Sequence, residues 1–481
     1  MVGKRSCSRP TGAPPKGVHA SRSDRRPRRA PVRQDTPKNK TPVGLSCCMA
    51  KQSIAATQSW LPNANHPTTD FPLTHLPYGA FTAEDQQHLC VAIGTHLLDL
   101  HACATSGLLP PTLTESCQAP TLNPLMSQGH QAWALLRKTL TTLLHADAKP
   151  EHKEKAEAAL HSIAGSTLKK PVYVPNYTDF YASIHHANRV GQLFRPDQPL
   201  LPNYKHIPIG YHGRASSIIV SGDSVVRPIG QSRPSQEEAQ PNFRPTSKLD
   251  YELELALYIG EPSALGIPVP ISNAANHIFG ISLLNDWSAR DIQSWEYQPL
   301  GPFLAKNFST TVSPWVTPIA ALDPFRAPAS PRPAADPKPL SYLHSAEDQK
   351  QGNLNVKLEV SLLTKTMRAN KLEPYLLSQS NAQDLYWTPA QLIAHHTSNG
   401  CNLQVGDILA TGTISGPAED SAGCLLELTR NGAQPILLPT AETRTFLEDG
   451  DEIILRGSCE SPGHPRIGLG ECRATILPAL T

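Results

Sequence analysis

No segment of this 481-residue chain approaches the roughly 18 consecutive apolar residues of a membrane-spanning helix, so no helical membrane span is expected. The ten cysteines include no CxxC pair and no regular framework. That disfavours a disulfide scaffold and a thiolate zinc site, and it leads to an expectation of reduced thiols in the cytoplasm. No GxGxxG and no GxxxxGK[ST] is present, so nucleotide sites of those two types are disfavoured, and the missing GxSxG elbow disfavours a serine hydrolase. No repeat of fixed period is visible.

What is present is unevenly distributed. Residues 1–50 carry twelve Lys and Arg against Asp24 and Asp35, a surplus of ten positive charges in a chain whose total is +2, which leaves −8 for the rest. The same stretch holds seven prolines, which oppose the amphipathic helix of a transit peptide. Residues 1–52 read as a disordered extension that is not essential, with translation from Met49 as one explanation. Binding of polyanions by this tail would rest on charge alone, so no specific nucleic-acid partner is expected. Residues 53–171 read as a small separate domain, with an apolar run His88–Gly94 and a helical pattern over 131–145 through Trp133, Leu135, Leu136, Leu140 and Leu143. From 172 to 481 the texture is short apolar or alternating runs broken by Gly, Pro, Asn and Asp, which predicts a β-rich domain. Thr388 followed by Pro389 predicts a capped helix start, and the Pro-, Ala- and Asp-rich stretch from Asp323 to Gly352 predicts a surface excursion.

Three motifs carry candidate chemistry. Asp286, Arg290, Gln293 and Tyr297 fall at helical spacing and would form one polar stripe directed at a ligand or ion. In Asp250-Tyr251-Glu252-Leu253-Glu254-Leu255-Ala256, a strand would project Glu252 and Glu254 to one face, about 7 Å apart, and send the leucines to the core. On an exposed face these acids are merely solvated. Gathered with Asp286 and another acid such as Asp179, they would form an all-oxygen site suited to a hard divalent cation, Ca2+ or Mg2+. Tyr177 to His186 supplies a carboxylate, phenols and two imidazoles, with His185 and His186 both open as general base.

Together these stretches are specific. YTDFYASIHH (177–186), GYHGRASS (210–217), YELELA (251–256), LNDWSARDIQSWEYQPLGPFLAK (284–306), NGCNL (399–403), ATGTISGP (410–417) and RIGLGE (466–471) make the chain resemble the fumarylacetoacetate hydrolase family from about residue 65 onward. The resemblance implies a mainly β (α+β) protein, a small N-terminal SH3-like β-barrel followed by a β-roll catalytic domain, assembled as a homodimer. It implies hydrolysis of the carbon–carbon bond of 4-fumarylacetoacetate to fumarate and acetoacetate, the last step of phenylalanine and tyrosine degradation. By the same resemblance Asp179, Glu252, Glu254 and Asp286 would hold Ca2+, and Mg2+ would sit near Asp286, Lys306 and Thr310. His186 would activate water, paired with Glu427. Arg290, Gln293 and Lys306 would receive the oxyanion, and Tyr181, Arg195, Tyr211, Gln293, Tyr297 and Thr413 would contact substrate. Ala305 and Ser309 stand where the family has glycines, and His185 where it has a different polar residue. Two other readings are an acylpyruvate or β-diketone hydrolase of the same superfamily, which the separate N-terminal domain disfavours, and a non-catalytic metal- and ligand-binding protein, which the presence of both His186 and Glu427 disfavours.

Overall fold

Alternation in the segment around Glu252 organises the molecule. The computed structural model describes residues 58–234 and 239–480, so the basic extension and the expected boundary at residue 52 lie outside the described residues. In the strand Leu253–Ile259, Leu253, Leu255, Leu257 and Ile259 enter one core, with Leu358, Val360, Leu362, Ile453 and Leu455. Ala256 and Tyr258 enter a second core on the other face, with Leu89, Val91, Leu98, Trp133 and Leu136. Each fully buried Leu or Ile contributes about 1.5–3 kcal/mol. A slip by one residue would drive Glu254 into the first core, so the register is strongly specified.

Leu253–Ile259 is central in an eight-stranded sheet. Along its main path the order is Gly210–His212, Tyr177–Phe180, Ile408–Ala410, Leu253–Ile259, Ile278–Asp286, Thr310–Val312 and Ile218–Val220, with Thr317–Pro318 also pairing Ile278–Asp286. The Ile408–Ala410/Tyr177–Phe180 and Thr310–Val312/Ile218–Val220 pairs are parallel, and the others are antiparallel. Its first core is closed by a five-stranded sheet ordered Tyr375–Asn381, Lys357–Leu363, Glu452–Cys459, Ile467–Leu477, Val225–Val226.

The N-terminal portion is a five-stranded antiparallel sheet, ordered Leu160–Ser162, His96–Asp99, Gln86–Ile93, Tyr78–Ala83, Leu168–Lys169. Five helices intervene between His96–Asp99 and Leu160–Ser162. The longest, His130–Leu144, buries Trp133, Leu136, Leu140 and Leu143, while Leu135, expected in the same stripe, is 39% exposed because it lies off their three- and four-residue spacing. Helix Pro389–Thr397 starts as expected: the Thr388 hydroxyl accepts from the Gln391 amide and the Gln391 side chain accepts from the Thr388 amide, a complete capping box. No helix among the described residues is long and apolar enough to cross a membrane.

The N-terminal portion is not a bead on a string. Its apolar residues share one core with Tyr177, Ala256, Phe279, Leu284, Val312 and Ile408 of the eight-stranded sheet. Tyr78 and Val316 exchange backbone hydrogen bonds of 2.9 and 2.7 Å, and Trp315 packs among Phe71, Phe81, Cys90 and Leu97. A Cβ at Gly79 would collide with the Trp315 ring. Gly79→Ala is therefore expected to destabilise the whole protein by about 1–3 kcal/mol in chemical denaturation, as a single shifted transition. An unchanged midpoint would show that this joint is loose.

Candidate functional site

The sheet brings four carboxylates to one place. Asp179 lies opposite Tyr211 and Ala410, and Asp286 lies opposite Thr310, so adjacent strands present these side chains beside Glu254. Asp179, Glu252, Glu254 and Asp286 are all buried, and each offers an oxygen within 4.8 Å of the others. The solvated-face reading of Glu252 and Glu254 is thus overturned: they are 6% and 0% exposed. Gly412 closes the cluster, its amide donating to Asp179 Oδ1 at 3.1 Å and Glu254 Oε2 at 3.0 Å. Its φ of +74° and the Phe180 carbonyl, 2.1 Å from where a Cβ would sit, leave no room for a side chain.

The polar stripe is corrected. Asp286 ends the strand Ile278–Asp286, Ser288–Ala289 is a separate short strand, and the helix runs only from Arg290 to Glu296. Trp287 interrupts the pattern because its ring is wholly buried, with Nε1 donating to Thr311 Oγ1 at 2.8 Å. The stripe's first two members nevertheless meet around Glu252, by a different geometry. Arg290 bonds Asp250 at 2.9 Å, Glu252 at 2.7 Å and the Gln293 carbonyl at 3.2 Å. Lys306 Nζ bridges Glu252 Oε2 at 2.5 Å and Asp286 Oδ2 at 2.8 Å, while Tyr211 and Thr310 hydroxyls donate to Asp286 at 2.7 and 3.2 Å.

Charge sorts these acids into two kinds. Burial raises the pKa of Glu252, but Lys306 and Arg290 outweigh it and hold this carboxyl below its usual range. Asp179 and Glu254 have no cation within ion-pair distance among the described residues, and burial followed by repulsion from neighbouring acids raises both well above the usual range. Glu254 Oε1 is buried without a hydrogen-bond partner. Two uncompensated carboxylates and an orphaned oxygen fit a cation-binding site, and an all-oxygen donor set suits a hard divalent ion. An adjoining cavity of about 250 Å3 is lined by Tyr211, Asp286, Phe303 and Lys306. The larger cavity, about 530 Å3, lies by Thr178, His212 and His396 and touches none of the four carboxylates.

A second buried group lies near Glu252. His186, on the helix Ile184–Phe194, places Nδ1 2.6 Å from Glu427 Oε2. That oxygen also accepts from Ser415 at 2.9 Å and Cys424 at 3.1 Å, and Arg189 reaches the other oxygen at 3.2 Å. Burial raises the pKa of Glu427, but the His186 ring and these donors prevail and bring it down to about 2. An ionised Glu427 accepts, so Nδ1 carries the proton and Nε2 is left as the basic nitrogen. His185 makes no hydrogen bond to Glu427 among the described residues; burial lowers its pKa, and Asp384 is the largest opposing influence.

Tyr181 lies edge-on to the His186 ring at 5.2 Å. No hydrogen bond among the described residues links the side chains of Arg195, Tyr297 or Thr413 to the carboxylates or to His186: Arg195 bonds the Pro199 carbonyl, Tyr297 is 40% exposed, and Thr413 is buried. Neither Ala305 nor Ser309 has positive φ, so their side chains introduce no backbone strain. Sequence reasoning missed Asp250, Arg189, Ser415 and Cys424. Asp250 carried a signal, lying two residues before Glu252 in the same alternation, and Cys424 lies three residues before Glu427; Arg189 and Ser415 are brought in by folding.

Residues 176–477 match the family model for the fumarylacetoacetate (FAA) hydrolase C-terminal region, and residues 74–171 that for the fumarylacetoacetase N-terminal region. The fumarylacetoacetase of Dictyostelium discoideum is 47% identical over 419 residues, covering 85% of this chain and 96% of that protein. Those of Bos taurus and Homo sapiens are 45% and 44% identical, each covering 86% of this chain and 97% of the relative.

Proposed function

This chain belongs to the fumarylacetoacetase family, and from that premise we propose that it hydrolyses the carbon–carbon bond of 4-fumarylacetoacetate to fumarate and acetoacetate. The observation that carries the reading is the buried four-carboxylate cluster near a His186–Glu427 pair. Asp179, Glu252, Glu254 and Asp286 would hold Ca2+, with Lys306 and Thr310 beside Asp286 at a place for Mg2+. A bound divalent ion supplies Lewis-acid polarisation of substrate oxygens. His186 Nε2 takes a proton from water as its oxygen bonds to the substrate carbonyl carbon. Arg290 would receive the oxyanion, a reading supported by its Nη2, which is buried without a partner. Gln293, whose carbonyl already accepts from Arg290, has its amide N–H groups left to donate, and Lys306 adds positive charge. Collapse of the oxyanion breaks the carbon–carbon bond; the departing carbon keeps the electron pair and takes the proton from His186. Tyr181, Arg195, Tyr211, Tyr297 and Thr413 would contact substrate.

The finer architecture, an SH3-like N-terminal barrel over 53–171 and a β-roll over 172–481, belongs to the same proposal, supported by the five-stranded antiparallel order and the two facing sheets. So does a cytoplasmic homodimer, for which the exposed Leu300, Phe303 and Leu304 offer apolar surface.

The test is loss of fumarylacetoacetate absorbance with purified protein before and after chelation. Turnover that stops with chelator and returns with Ca2+ or Mg2+ is expected; no turnover with either ion sinks the proposal. Metal uptake must also displace the protons that Asp179 and Glu254 retain above the usual carboxylate range. Affinity is accordingly expected to rise with pH, with net proton release seen by titration calorimetry in buffers of different ionisation heat. Uptake without proton release contradicts this.

A further inference from the structure

The Pro-rich excursion between Asp323 and Gly352 is a long motif that the proposed chemistry does not use. It is tied down by one residue in particular. The Arg332 guanidinium lies over the rings of Tyr386 and Trp387, 4.1 and 4.5 Å from their centroids. Its Nη1 donates to the carbonyls of Lys205 at 3.1 Å and Pro337 at 3.3 Å and to the Tyr386 hydroxyl at 2.7 Å. Asp336, four residues on, accepts from Lys205 Nζ at 2.5 Å and from the Tyr386 hydroxyl at 3.1 Å. The excursion thus grips two segments together, Tyr204–Lys205 and Tyr386–Trp387.

Both gripped segments hold the approach to His186. The buried Tyr204 donates its hydroxyl to the Tyr181 carbonyl at 2.9 Å and packs edge-on against the Tyr181 ring at 5.9 Å. The Tyr386 amide donates to the Ala182 carbonyl at 3.0 Å. The next residue, Ser183, caps the helix through the His186 amide. Tyr181 itself faces the His186 ring. Consecutive carbonyls leading into the helix are therefore anchored by Tyr386, which Arg332 contacts directly, and by Tyr204, next to the Lys205 carbonyl that Arg332 binds.

We infer that Arg332 is a positioning residue for His186, acting through Tyr204 and Tyr386 on the Tyr181–Ser183 segment. The inference rests on the reading of His186 as the base. An arginine suits the task because one planar group stacks on both rings while its Nη1 donates to acceptors on both gripped segments, and a lysine has no plane to stack.

The test compares Arg332→Ala, Arg332→Lys and the exposed control Lys338→Ala in the metal-loaded full chain. Two measurements are made: kcat for fumarylacetoacetate, and amide hydrogen exchange over residues 181–187. Arg332→Ala is expected to lower kcat about tenfold, short of the roughly 10²-fold that a 1 Å misplacement can cost. Exchange over 181–187 is expected to quicken about tenfold, with Ca2+ stoichiometry and the control unchanged. Arg332→Lys should fall between, since it keeps a cation but loses the planar stacking on Tyr386 and Trp387. If Arg332→Ala does not fold, Tyr386→Phe, which removes only the hydroxyl linking Arg332 and Asp336, is expected to move both readouts in the same direction. Exchange or kcat within about twofold of wild type overturns the inference. Should the wild-type protein fail to hydrolyse fumarylacetoacetate, that result sinks the proposed function. The exchange measurement then still decides whether Arg332 holds the segment.

Discussion

Asp286→Asn is expected to lower kcat/KM for fumarylacetoacetate by about 10⁴-fold while the chain stays folded. Asp286 is 1% exposed and receives Lys306 and Tyr211 on one oxygen and Thr310 on the other. Asparagine keeps the shape but removes a negative charge from a four-carboxylate cluster, and hard-cation sites are tuned by ligand charge count. Lewis-acid polarisation is worth several kcal/mol, at about 1.4 kcal/mol per tenfold in rate, so losing the ion removes several decades. The fold survives because Lys306 keeps Glu252 at 2.5 Å and is not left as an unpaired buried charge. Absorbance kinetics, metal analysis and a thermal melt on the same sample decide the matter. Wild-type metal content together with kcat/KM within tenfold of wild type would remove Asp286 from the metal site.

The second large effect belongs to His186→Ala, for which kcat falls by about 10²–10⁴-fold with metal content unchanged. His185→Ala should stay near wild type; if it alone abolishes turnover, the base has been misassigned. Glu427→Gln should also slow the reaction, because an amide no longer selects the tautomer with Nδ1–H. Its effect on stability has a definite sign. The folded pKa of Glu427, about 2, lies below that of an unfolded glutamate, so its stabilisation is present above about pH 4.3 and is lost as pH falls towards 2. Wild type and Glu427→Gln should therefore converge in stability across that acid window. A constant gap between the two denaturation curves would mean that the carboxylate's ionisation is not what stabilises this pair.

Much of the candidate site was visible in the chain because it is written in local alternation. Glu254 lies in the strand Leu253–Ile259 and Glu252 just before it, and their two-residue spacing still brings both to the cluster while Leu253 and Leu255 enter the core. The cap at Thr388 was legible for the same reason, since capping acts within one turn. Asp286 shows the limit: the spacing to Arg290 suits a helix, yet pairing with Thr310 makes it the last residue of a strand. The His186–Glu427 contact spans 241 residues, and no period reports it; it entered through resemblance. Arg189 reaches Glu427 across 238 residues, so only folding brings it in, whereas Ser415 and Cys424 lie 12 and 3 residues from Glu427 in sequence without a motif that marks them.

The shared core of the N-terminal sheet and the Leu253–Ile259 strand has a practical side. The strand face that carries Ala256 and Tyr258 under N-terminal side chains is also the face from which Glu254 projects. A truncated catalytic half beginning at residue 172 would expose Tyr258, Phe279, Leu284 and Ile408 as an oily wall beside its most highly charged corner. Such a fragment is a poor candidate for recombinant production. Substitutions far from the acids, around Gly79 or Trp133, would be felt in tolerance screens as loss of enzyme rather than loss of a dispensable module.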